Sequence, residues 1–273
     1  MNDSDNTDAD DVSDTSETDN ASNTDNTGDI NSSGETDDAS DDPRSSDEYI
    51  RTVIGSNGTV TVVGVVHDHP SSMYRAKAVV ADRDPDVLAL ELPPLAIPLF
   101  RQYADDERVP PVFGGEMSAA IQATTDADVV GIDGPSLAFL SRLAGTLYRT
   151  NASLGTTRQV CKSVLSATKQ TLVCRAASLL ASGSDLRLEV DTPTVYDVDW
   201  TDDPERQAAD ERSHLDRARS VLDVLEPPRA MAVRDATREA HMANRLERLS
   251  RDGDVVAVIG LDHLEAVAKQ VPE

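Results

Sequence analysis

Residues 59–66 read TVTVVGVV, and this stretch decides the fold class. Threonine and valine fill it almost completely, Asn57-Gly58 marks its start and a His/Asp/Pro cluster its end. A short β-branched apolar run between such breakers reads as a buried strand. Working outward, Ser71 or Ser72 can cap a helix running to about Asp82, and after the Asp84-Pro85 break residues 86–92 (DVLALEL) form a second strand. Residues 94–105 then read as a helix with proline in its first turn. Strand, helix, strand, helix is the rhythm of a parallel sheet.

Further along, residues 116–125 read as a short helix behind Gly114-Gly115, and residues 128–132 (DVVGI) as a third buried strand. A long helical stretch, 136–181, precedes an extended patch at 194–198. Helical spacing returns over 204–225 and 229–249, residues 254–259 (DVVAVI) give a fourth buried strand, and 262–271 the closing helix. The expected architecture is α/β: a mostly parallel sheet with flanking helices and a helical insertion before the last strand, in one domain over residues 50–273.

The charge is distributed unevenly. The 273 residues carry 50 acidic and 25 basic side chains, a formal charge of −25. Residues 1–50 hold 17 acidic residues against Arg44 alone, a charge of −16, and the remaining 223 carry −9. Residues 1–47 are nearly all Asp, Ser, Thr, Asn and Gly, with too little apolar surface to offset chain ordering, so 1–49 is expected to be a disordered acidic tail. Such an acidic balance excludes general nucleic-acid binding, which rests on basic side chains.

In the body, lysine occurs only at 77, 162, 169 and 269, and aromatics make up 3%. This composition suits a cytoplasm holding molar salt, as in a halophilic archaeon. There the Debye length falls to about 3 Å and acidic self-repulsion is screened. No basic, apolar leader and no run of about 18 apolar residues is present, so a cytoplasmic protein without a transmembrane segment is expected. Cys161 and Cys174 lie 13 apart in one helical stretch, too far to bridge, and read as two buried core thiols.

In open α/β sheets, reactive side chains collect past the carboxyl ends of the strands. Those ends supply His67, Glu91, Asp133 and His263. His67 follows Gly64-Val65-Val66 and His263 follows Gly260-Leu261-Asp262, so a G-x-x-H arrangement closes the first and the last strand. Two imidazoles and a carboxylate are suitable ligands for Zn²⁺, Mn²⁺ or Co²⁺. His69 and Asp68 flank His67 as outer partners at best, His214 and His241 read as surface or core residues, and Ser72 reads as a helix cap rather than a nucleophile.

Five ordered blocks carry a resemblance to a known family: residues 64–72 (GVVHDHPSS), 85–92 (PDVLALEL), 114–121 (GGEMSAAI), 238–243 (REAHMA) and 255–263 (VVAVIGLDH). Together they resemble the TraB/PrgY pheromone-shutdown family, whose wider relatives include the Tiki metalloproteases and the erythromycin-esterase and ChaN-like proteins. The resemblance implies an α/β fold with a metal-dependent, proteolytic site in which His67, Glu91 and His263 hold the ion. It places Glu116 as general base and Arg238 as the group that holds a peptide carboxylate or an oxyanion. The chain departs from the family at Gly134, where a basic residue is usual after the aspartate, and in lacking a small residue between Gly260 and His263.

The function expected is thus hydrolysis of peptide bonds with a divalent metal. Hydrolysis of a non-peptide ester or amide, or capture of a peptide or metal without turnover, are the alternatives. The expected partners are a peptide or small-molecule substrate, with a homodimer left open.

Overall fold

The computed structural model describes residues 42–55, 57–105, 108–134, 136–181, 194–224 and 228–271. Of the tail expected over residues 1–49, residues 1–41 lie outside them. Among the described residues five strands form one sheet in the order β1-β2-β5-β3-β4: β1 (Ile50–Ile54), β2 (Thr59–Val65), β3 (Val87–Leu90), β4 (Asp128–Gly131) and β5 (Val255–Gly260). All neighbours are parallel except β1 and β2. The last strand in sequence is therefore the central one, and the chain reaches it through the helical insertion expected before it.

β1 escaped the sequence reading. From Arg51 to Ile54 its residues alternate between half-buried and exposed, and Asn57-Gly58, taken as a strand boundary, belongs to a hairpin turn in which Gly55 N donates to Gly58 O at 2.8 Å. Asn-Gly between two runs with β-branched residues is a hairpin signal in its own right. No strand forms at 194–198, where the described chain is irregular.

Eight α-helices accompany the sheet among the described residues. On one face α1 (Pro70–Arg83), α2 (Ile97–Ala104) and α3 (Gly115–Ala123) pack Ala76, Val80, Phe100 and Met117 against Val63, Leu88 and Val258. On the other, α7 (Arg229–Leu249) and α8 (Leu261–Gln270) bring Met242, Leu246 and Val267 onto Val62, Ala89 and Ile259. Covering both faces is why β2, β3 and β5 have no polar side. Each large aliphatic side chain so buried contributes about 1.5–3 kcal/mol.

The insertion comprises α4 (Leu137–Arg149), α5 (Leu154–Ala181), α6 (Pro204–Val224) and α7. The stretch 136–181 is thus two helices, broken where Asn151 takes a left-handed φ of 46°. Phe139, Leu143, Val160 and Val233 make a satellite core between α4, α5 and α7. Cys161 is exposed, contrary to the expected buried thiol. Val160 faces that core, and the next helical position is rotated about 100° away from it. The Cys174 side chain lies outside the description.

The domain begins earlier than residue 50. Two 3-10 turns, Pro43–Ser45 and Asp47–Tyr49, pack on α1: the Arg44 guanidinium stacks 3.4 Å above the Tyr74 ring, and Arg44 O accepts from Arg75 Nε at 2.7 Å. Residues 42–49 therefore belong to the fold rather than to the tail.

His241 of α7 is buried edge-on to Phe139, and its Nδ1 has no hydrogen-bond partner among the described residues. Burial, reinforced by Arg245, Arg142 and Arg248 and opposed by Asp133, holds its pKa below the ordinary 6.5. The folded protein therefore takes up this proton less readily than the unfolded chain. The stability it contributes is present above pH 6.5 and is lost as pH falls below it, by at most about 1.4 kcal/mol per pH unit. Between pH 7.5 and 5.5, the difference in Tm between His241→Leu and the unchanged chain should shift in favour of the variant, which separates this proton from those of the other histidines. An unchanged difference across this window would contradict the assignment.

Candidate functional site

The two G-x-x-H glycines do different work. A Cβ on Gly64, in β2, would lie 2.5 Å from Leu261 Cδ1, so this glycine lets α8 close on the sheet. A Cβ on Gly260, at the end of β5, would meet Glu91 Oε2 at 3.3 Å, His67 Nε2 at 3.8 Å and His263 Cδ2 at 3.9 Å. The bare backbone there forms a cradle around which the three side chains gather. Gly260 N also donates to Glu91 Oε2 at 2.6 Å.

Each histidine is held from behind by a carboxylate. His67 Nδ1 lies 2.6 Å from Glu116 Oε1, whose other oxygen accepts from Asp68 N at 3.0 Å. His263, in the first turn of α8, has Nδ1 3.0 Å from Glu239 Oε1. A carboxylate at Nδ1 fixes the tautomer and orientation of an imidazole and leaves Nε2 for chemistry. The Glu116 hydrogen bond, against opposing burial, pushes the His67 pKa up to about 9.

Arg238 joins the parts. Its Nη2 donates to Glu91 Oε1 and, at 2.8 Å, to Asp133 Oδ2, and its Nη1 lies 3.2 Å from His263 Nε2. A guanidinium only donates, so His263 Nε2 is the acceptor and Nδ1 carries the proton to Glu239. Burial alone would lower the Arg238 pKa, but Asp133 and Glu91 raise it above its ordinary value and keep the cation in place. Arg238 and Glu239 are neighbours on α7, yet one reaches the strand ends and the other the first turn of α8.

A cavity of about 400 Å³ is lined by His67, Glu91, Arg238 and His263, with Tyr196 and His214 from the insertion. Four of the five expected site residues therefore share one cavity. Glu116 does not line it: its side chain is 3% exposed and both oxygens are engaged, so it acts on His67 from behind. His214 was read as a surface or core residue but lines the cavity, its ring edge-on to Tyr196 with centroids 5.3 Å apart. Tyr196 donates to His67 O at 2.6 Å, and burial, reinforced by Asp68 and Glu116, pushes its hydroxyl up to about 12, so it stays a donor. Glu239 and Tyr196 were missed as site residues; the arginine-acidic pair at 238–239 was the one signal pointing to Glu239.

Ser72 is not the helix cap. His69 takes that role, its Nδ1 accepting from Ser71 N at 3.2 Å, while Ser72 Oγ accepts from Val66 N at 2.7 Å and donates to Glu211. Arg75 and Glu211 form a fully buried pair beneath the site. Arg75 also donates to Gly64 O at 2.8 Å and lies 3.9 Å over the Tyr49 ring. This network fixes the backbone that carries His67.

Two imidazoles with Nδ1 anchored, one carboxylate and a backbone cradle suit Zn²⁺, Mn²⁺ or Co²⁺ in donor chemistry. Among the described residues, no three His, Cys, Asp or Glu side chains are already gathered for a metal, and Arg238 engages Glu91 and His263. No helix among them is long and apolar enough to cross a membrane. No family model, curated protein or solved structure matches the chain.

Proposed function

We propose that the chain is a hydrolase of peptide bonds, akin to the TraB/PrgY family, using a divalent metal held by His67, Glu91 and His263. The observation that supports this best is the pair of histidines with Nδ1 against Glu116 and Glu239, set around Gly260 with Glu91 between them. When bound, the ion would polarise the scissile carbonyl and acidify a water. The chain's own residues orient and neutralise: Glu116 and Glu239 hold the rings, Asp133 holds Arg238, and the Arg238 Nη atoms can bind an oxyanion or a peptide carboxylate. A second cavity of about 230 Å³ shares Arg238 and is lined by Asp133 and Phe139, which favours a substrate extending to both sides of the reacting bond.

The contacts of Arg238 with Glu91 and His263 favour a second reading, hydrolysis of an ester or amide without metal. There His67, charged at neutral pH beside Glu116, would donate the proton of Nε2 to the leaving group.

Thermal melts with Mn²⁺, Co²⁺ or Zn²⁺ separate the two. Under the metal reading, an ion at 100 times its Kd stabilises by about 2.7 kcal/mol, which raises Tm by about 5–10 °C. His67→Ala and His263→Ala should abolish the rise. Equal melting with and without metal, together with ester turnover in chelator, would support the second reading; a metal response without turnover of any peptide or ester would indicate a binding module.

A further inference from the structure

Away from the histidines, a cavity of about 330 Å³ opens between α1 and α3 and shares no lining residue with the histidine site. Met73, Tyr74, Lys77, Ala78 and Ala81 recur at three- and four-residue spacing, so one side of α1 faces it while Ala76, Val79 and Val80 enter the sheet core. Ala119 of α3, Pro110 and Trp200 stand around it. Trp200, the only tryptophan of the chain, is 50% exposed there, as is Val109. A mostly apolar cavity of this size with a few polar groups has the form of a small-molecule site.

We propose that this cavity binds a small monocarboxylic acid with an apolar tail. Its 330 Å³ equals the liquid volume of about eleven waters at about 30 Å³ each, room for a ligand of about ten non-hydrogen atoms. Of the two cations lining it, Arg44 is paired with Asp42 and stacked on Tyr74. Lys77 is exposed and has no carboxylate within ion-pair distance among the described residues, so its ammonium is available to an anionic head. The chain as a whole is acidic and repels anions, but at high salt that repulsion is screened beyond about 3 Å, and the nearest charge decides which ligand is held. An apolar body against Met73, Ala78 and Trp200 with a carboxylate at Lys77 satisfies both ends.

Trp200 reports occupancy directly. Titration of the whole chain with octanoate in molar potassium chloride should give a saturable change in tryptophan fluorescence at millimolar concentration or below. Octylamine should bind at least tenfold more weakly than octanoate. Lys77→Gln, a change on an exposed side chain, should weaken octanoate about tenfold and leave 1-octanol unchanged. Ala78→Phe, which fills the cavity, should remove both responses, and His67→Ala should change neither. No saturable response up to about 10 mM, equal binding of octylamine, or an unchanged octanoate response in Lys77→Gln overturns the proposal. So does loss of the response in His67→Ala, which would move the ligand to the histidine site.

Discussion

Replacing Glu211 with alanine is expected to destabilise the fold by about 3–5 kcal/mol, because it leaves the Arg75 guanidinium buried without its counter-charge. Arg75 and Glu211 are both 0% exposed, so water cannot take over the lost bond. Among the described residues Arg75 would keep only the Gly64 and Arg44 carbonyls, the Ser72 hydroxyl and the Tyr49 ring, and Ser72 would lose its own acceptor. At about 2–4 °C per kcal/mol, Tm should fall by roughly 6–20 °C. Arg75→Leu combined with Glu211→Leu removes both charges and should cost less than Glu211→Ala alone, since two apolar residues can take the place of a buried ion pair at little cost. A double variant less stable than the single one would show that the network's hydrogen bonds, not its unpaired charge, dominate.

If the proposed hydrolysis is the chain's activity, His67→Ala and His263→Ala should each cut it by about 10²-fold or more while the chain stays folded. Both side chains line the cavity, and neither belongs to the buried Arg75–Glu211 network, so fold and activity should separate. Glu116→Gln tests a different role. Its carboxylate holds His67 Nδ1 and Asp68 N, and loss of such an orienting partner typically lowers metal affinity or activity by about 10- to 100-fold. A weakened metal response that is regained at higher metal concentration marks Glu116 as a positioning residue. Lost turnover at full metal occupancy would instead assign it direct proton transfer, and unchanged behaviour would remove it from the site.

Much of the site was legible because strand ends are legible. β2, β3, β4 and β5 are short, apolar and bounded by breakers, so His67, Glu91, Asp133 and His263 could be placed at one edge from spacing alone. Their partners were harder to see. Glu239 is adjacent to Arg238, and side chains one position apart on a helix point about 100° from each other; which one meets His263 depends on how α7 lies against α8. Tyr196 and His214 come from the insertion, whose register with the sheet has no local signature.

By itself, the sequence determined the four parallel strands of the sheet and the edge at which its polar residues collect, because hydrophobic periodicity and turn residues act within a few positions along the chain. Only the tertiary structure decided that β5 lies at the centre, that Glu116 stands behind His67 rather than in the cavity, and that Ser72 serves Glu211 while His69 caps α1. The places of Glu116 and Ser72 depend on which buried donors and charges find partners across 48 to 139 residues of chain, a matching that the closed fold enforces through the cost of leaving any of them unpaired.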